Sequence, residues 1–225
     1  GGTCAQRIVE RKLADVAIVD IADGLAKGKA LDLGQAGAIE AYNFRVEGST
    51  DYSIIKGARA VIVTAGLARK PGMSREDLLA KNAAIVKDIA HNIKKYCPDS
   101  VIIMVTNPLD VMTYLAWKVS GFDTKKVFGM AGVLDTARLK YFISQTLDVL
   151  PTEIETMVLG GHGDSMVPLI GRTIVKGRPI SELLTPEEIG LLVQRTRDGG
   201  AEIVSLLKTG SAYFAPSSAA CDMLE

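Results

Sequence analysis

No excess of either charge runs through these 225 residues, which set 26 Lys and Arg against 26 Asp and Glu. A chain with zero formal net charge lacks the cationic field that holds a protein on a phosphate backbone or an anionic bilayer, so nucleic acid and membrane are excluded as bulk partners. Cysteine is scarce: Cys4, Cys97 and Cys221 are odd in number, far apart, and form no C-x-x-C pair. That spacing argues against a disulfide framework and a zinc site and suits a reducing, cytoplasmic setting. Apolar runs stop at strand length, far short of the ~20 residues that span a bilayer. No signal-peptide pattern opens the chain, which starts at Gly1 rather than Met. Aromatics are only 5% of a composition that is 48% hydrophobic, so the core must be built from aliphatic side chains.

Those aliphatic residues come in short β-branched runs without polar alternation: VAIVD (16–20), AVIVTAG (60–66) and VIIMVTN (101–107), with a weaker VFGMAG (127–132). Such runs suit parallel strands buried on both faces. Helical periodicity lies between them, most clearly over 74–95, where Ser74 is placed to cap the helix and Glu76 and Asp77 favour its positive end. Alternating strands and helices predict an α/β doubly wound parallel sheet over residues 1–146. After Pro151 the pattern changes to ETMVLGGHGD and MVPLIGRTIVKGRPI, two strands at hairpin-like spacing, then a long helix from about Pro186 with breaks near Gly210 and Pro216. This predicts a second, α+β domain over 147–225.

Both ends read as cut, with a helix opening the chain where a strand should precede it and a helix still running at CDMLE. In the strand order 3-2-1-4-5-6 the absent first strand is central, and its neighbours at 16–20 and 60–66 each lose a hydrogen-bonding partner. The expectation is that these 225 residues alone do not fold as an autonomous unit.

Several short motifs carry chemistry. Gly1 begins a helix and Asp20 closes the next strand, close to the ~20-residue interval at which a dinucleotide fingerprint places its ribose-binding carboxylate. An Asp at a strand end is as often a turn or cap residue; as a ribose ligand it would repel a 2′-phosphate and favour NAD over NADP. TNPLD (106–110) sits at a strand end where crevices open, and Pro108 keeps Asn107 out of the helical region; an ordinary turn is the competing reading. LDTAR (134–138) puts Asp135 and Arg138 on one helix face. GGHGDS (160–165) sets His162 among glycines that let a ligand approach closely; a turn histidine of no consequence is the competing reading. The chain has only two histidines, and His91 reads as a solvated group on the 74–95 helix. ARKPGMSRED (68–77) places Arg69, Lys70 and Arg75 beside Pro71 and Gly72 at the end of a buried strand, a positively charged loop without a partner in the local pattern.

In order, TAG, ARKPGMSRED, TNPLD, GVLDTAR, GGHGDS and TGSAY resemble the lactate/malate dehydrogenase family, through essentially the whole chain, and look most like the lactate-dehydrogenase-like malate dehydrogenases of bacteria. The resemblance implies a Rossmann-type sheet lacking its first strand, followed by a substrate domain lacking its C-terminal part. It implies NAD as cofactor, no metal, a small dicarboxylate substrate and a homodimer or homotetramer. His162 matches the family's proton acceptor, Asp135 the carboxylate that orients it, and Arg138 the group that grips the C1 carboxylate. Arg75 matches the residue that polarises the carbonyl oxygen. Arg69 matches the position facing the substrate's far end, where lactate dehydrogenases carry a neutral Gln. Gly1, Asp20, Asn82, Val105, Thr106 and Asn107 match cofactor contacts, Asn107 also reaching substrate. The activity implied is reversible oxidation of (S)-malate to oxaloacetate, with lactate or another 2-hydroxy acid, or a fragment that only binds, as alternatives.

Overall fold

The computed structural model describes residues 1–67 and 74–225, and of Arg75 the backbone only. They form two compact units, Gly1–Gly129 with Pro216–Glu225, and Met130–Ala215. Among the described residues no helix is long and apolar enough to cross a membrane.

The first unit alternates strand and helix as the β-branched runs predict: α1 (Gly2–Glu10), β1 (Val16–Val19), α2 (Leu25–Glu40), β2 (Val46–Ser49), β3 (Ala60–Val63), α3 (Arg75–Tyr96), β4 (Val101–Met104), α4 (Leu109–Ser120) and β5 (Val127–Gly129). All pairings are parallel: β1 with β2, and β3–β4–β5 in that order. β2 is a strand without a β-branched run, VEGS. Its Gly48 is explained by packing, since a Cβ there would overlap the Ala26 carbonyl of α2. Glycine lets helix and strand touch backbone to backbone.

β1 and β3 do not pair with each other. Val16 and Asp20 donate to Arg45 and Ser49, and Val101 and Val105 donate to Arg59 and Val63. By alternation, the backbone groups of Ala17, Val19, Ala60 and Ile62 point away from these partners. All four residues line one cavity of about 580 Å³. The cavity lies between these two unpaired strand edges. One expectation is corrected here: β1 and β3 are not buried on both faces. Val16, Ile18, Val19, Val61 and Ile62 are half-buried and Ala17 is exposed, whereas Ile102, Ile103 and Met104 of β4, with strands on both sides, are fully enclosed.

The second unit holds α5 (Gly132–Leu147), the short strands β6 (Ile154–Glu155), β7 (Val158–Gly160), β8 (Met166–Pro168), β9 (Ile174–Val175) and β10 (Arg178–Pro179), and α6 (Pro186–Leu207). β7 and β8 form the expected hairpin, and β10–β9–β6 a separate antiparallel sheet. Leu139, Phe142 and Ile143 of α5 pack with Ile154, Val158, Met166, Val175 and Leu192. Because α5 contributes its apolar face to this core, the compact units divide at Gly129/Met130 rather than at 146/147. α6 opens on a capping box in which Thr185 and Glu188 satisfy each other's backbone N–H, with Pro186 in the first turn. The chain breaks around Gly210 as expected. Pro216 does not break it, lying in the first turn of α7 (Phe214–Leu224), where no helical N–H is lost.

Candidate active site

In the second unit, α5 and the β7–β8 hairpin bring three of the predicted residues together. Asp135, in the first turn of α5, is 1% exposed. Its Oδ2 lies 3.0 Å from His162 Nδ1, and its Oδ1 accepts from Arg138 Nη1 at 3.2 Å. One buried carboxylate thus serves two cation-forming groups, one per oxygen. With Nδ1–H donated to Asp135, the imidazole tautomer is fixed and Nε2 becomes its basic nitrogen. His162 rides the 161–165 turn, whose base needs glycine: Gly160 has φ of 86°, and a Cβ there would stand 2.7 Å from Ser165 O.

Arg138 keeps a buried Nε with no hydrogen-bond partner among the described residues. Its guanidinium is a planar fork of donors whose geometry matches a two-oxygen anion. Room for it comes from α6. A Cβ on Gly199 would lie 3.2 Å from Arg138 Cδ, and one on Gly200 3.3 Å from Arg138 Nη2. These two glycines were not singled out in the sequence; the signal was a Gly-Gly pair inside a helical pattern, where each costs about 1 kcal/mol relative to Ala.

In the first unit the predicted cofactor residues gather at the carboxyl ends of parallel strands, the location where such sheets bind nucleotides. Asp20 follows β1 directly, and its Oδ1 accepts from Ala22 N–H at 2.9 Å. The turn-cap reading is therefore met by one oxygen. Gly1 caps α1, and a Cβ there would come 3.2 Å from Thr64 Oγ1. Asn82, 1% exposed, ties two strand ends together. Its Oδ1 accepts from Leu67 N–H at 2.8 Å, and its Nδ2 donates to Asn107 O at 2.8 Å and Leu67 O at 3.3 Å. Thr106 is buried and its hydroxyl donates to Ala65 O at 2.7 Å. Val105 N–H donates to Val63 O, and Asn107, before a cis peptide bond to Pro108, is exposed. A Cβ on Gly66 would come within 2.7 Å of Thr106 Cγ2, so bare backbone lines this shelf. Glycines and strand-end amides with a carboxylate nearby fit a dinucleotide.

Arg69 lies outside the described residues. Arg75 opens α3, and only its backbone position is described. Ser74 caps that helix, its Oγ accepting from Asp77 N–H at 2.9 Å.

Comparisons with known proteins agree with this geometry. Residues 1–129 match the family model described as lactate/malate dehydrogenase, NAD binding domain, and residues 132–225 match lactate/malate dehydrogenase, alpha/beta C-terminal domain. The malate dehydrogenase of Pelodictyon phaeoclathratiforme is 54% identical over all of this chain and 73% of its own length. That of Synechocystis is 53% identical over all of this chain and 69% of its own. Among solved structures, the apo malate dehydrogenase from Picrophilus torridus superposes with a TM-score of 0.96 at 46% identity, covering 99% of this chain and 71% of that one. The lactate dehydrogenase from Cryptosporidium parvum, complexed with lactic acid and nicotinamide adenine dinucleotide, follows at 0.94 and 42%, covering 99% and 72%. The strand-end shelf, the shared carboxylate of Asp135 and these matches over both units lead to one conclusion: the chain belongs to the lactate/malate dehydrogenase family.

Proposed function

We propose that this chain's protein catalyses the NAD-dependent, reversible oxidation of (S)-malate to oxaloacetate. The observation that carries the reading is the division of Asp135 between His162 and Arg138. A proton acceptor and a carboxylate grip are held by one buried anion, which suits a substrate bearing a hydroxyl beside a carboxylate. His162 takes the hydroxyl proton through Nε2, while Asp135 orients the ring and stabilises the imidazolium that forms. Arg138 holds the C1 carboxylate by a forked pair of donors. NAD, when bound, accepts the hydride from the carbinol carbon. Asp20 and the backbone at Gly1, Val105 and Asn107 contact it, and Asn82 and Thr106 keep that backbone in place. Arg75 polarises the substrate oxygen, and Asn107 donates to it. We assign the protein to the cytoplasm as a homodimer or homotetramer, an assembly supported by the exposed Leu31 and Ile39 of α2.

The lactate dehydrogenase from Cryptosporidium parvum superposes almost as well as the malate dehydrogenases, so the fold does not choose the substrate. Arg69 does, in this reading. A closed site holding that guanidinium without a counter-ion costs on the order of 2–5 kcal/mol, which disfavours pyruvate against oxaloacetate by roughly a hundredfold. Arg69→Gln is expected to move the ratio of the two kcat/KM values toward pyruvate by about that factor. An unchanged ratio in steady-state assays removes Arg69 as the discriminator and opens the assignment to lactate.

A further inference from the structure

We infer that Thr136 is a positioning residue whose side-chain oxygen fixes the reach between Asp135 and His162, an inference resting on the acid–base role proposed for that pair. Leu169 N–H donates to Met157 O at 2.9 Å, closing the base of the β7–β8 hairpin. Bonded and non-bonded pairs alternate along antiparallel strands. Val158 and Pro168, the next pair in register, are therefore a non-bonded pair, a position where proline loses no ladder bond. The N–H and C=O of Val158, itself 1% exposed, thus point away from β8.

α5 meets both groups. Val158 N–H donates to Thr136 Oγ1 at 2.9 Å. One turn earlier, Gly132 presents bare backbone to Val158 O, at which a Cβ would stand only 2.7 Å away. Residues i and i+4 share a helix face, so Gly132 and Thr136 grip one strand residue at two points. Asp135 lies beside Thr136 on α5, and His162 lies four positions along the chain from Val158. The helix that supplies the carboxylate thus also anchors the hairpin that supplies the imidazole. Without the Thr136 oxygen a buried N–H has no acceptor and the hairpin is free to shift along α5. A displacement of about 1 Å at reacting groups costs up to roughly a hundredfold in rate.

The test compares T136V, which keeps the shape and loses the acceptor, with T136S, which keeps the oxygen. His91 is exposed and its ring protons exchange with water, and the downfield imidazole N–H proton resonance that is lost in H162N is the one that reports on His162. In the protein with T136V this resonance is expected to broaden or vanish, with kcat for oxaloacetate reduced roughly ten- to a hundredfold and KM for NADH unchanged. T136S restores both. If T136V does not fold, G132A, which presses on Val158 O from the other end of the same grip, is expected to give the same loss of resonance. A T136V or G132A protein with the wild-type resonance, or a T136S protein that fails to restore it, overturns the inference. Should none of the proteins turn over oxaloacetate while the resonance still follows the Thr136 oxygen, the positioning role stands and the malate assignment falls.

Discussion

Gly199 and Gly200 sit inside α6, where alanine would stabilise the helix by about 1 kcal/mol at each position, yet both face Arg138 at little more than 3 Å from where a Cβ would stand. Substituting Gly199→Ala should therefore separate stability from binding. The helix gains, while Arg138 is pushed a few tenths of an ångström from its place. Expected outcomes are a melting temperature equal to or above wild type and a KM for oxaloacetate raised about tenfold, the equivalent of ~1.4 kcal/mol. KM for NADH stays unchanged, since what a Cβ on Gly199 would meet is Arg138 and Phe142. Thermal melts and steady-state assays on the same preparation decide it; an unchanged KM means that Arg138 has more room than the packing implies. The contrast with His162, Asp135 and Arg138 shows what a sequence makes legible. Those three stand in short motifs that carry the family resemblance when taken in order with the others, although GGHGDS by itself leaves an ordinary turn open. Gly199 is explained only by a side chain on another helix, and Asn82, matched by resemblance to a cofactor contact, proves to spend its amide on Leu67 and Asn107.

At the scale of elements, local chemistry and packing divide the legible from the hidden. The start of α3 was readable because Ser74, Glu76 and Asp77 form a cap signature, and the helix does begin at Arg75. β2 and α2 were not singled out: VEGS lacks a β-branched run, and α2 buries only Ala26, Ala30 and Gly37, too small a stripe to stand out in periodicity. The α3 cap has a pH signature. Hydrogen bonds from the Ser74 side chain and then its backbone hold the Asp77 carboxyl below its usual range. A carboxyl depressed in the folded state adds stability that is present above its unfolded value and lost as pH falls through the folded one. Ser74→Ala is expected to cost about 1 kcal/mol at neutral pH and to narrow its gap from wild type below about pH 4, where the wild-type carboxylate also protonates. Denaturant unfolding at several pH values measures this, and a gap independent of pH rules out the charged cap.

For the molecule as a whole, the deciding feature is the slot between β1 and β3. α7 returns to the first unit, where the Cys221 thiol approaches Cys4 O at 3.6 Å, and burial pushes that thiol up to about 11. Cys4 itself lines the slot. Both thiols are buried and should react slowly wherever this unit is firmly closed, because a reagent must first reach them. The slot argues that these 225 residues do not achieve that closure unaided. Fully burying a Val or Ile side chain contributes about 1.5–3 kcal/mol, and Val16, Ile18, Val19, Val61 and Ile62 are all left half-buried along its walls. The forfeited burial amounts to several kcal/mol against a typical total of only ~5–15. A polypeptide of these residues alone is therefore expected to melt broadly, with near-ultraviolet circular dichroism lost ahead of helical signal, and to expose Cys4 and Cys221 to a thiol reagent within its dead time at 25 °C. A sharp calorimetric transition with slow thiols would mean that the edges of β1 and β3 that line the slot are stable unpaired, as they stand.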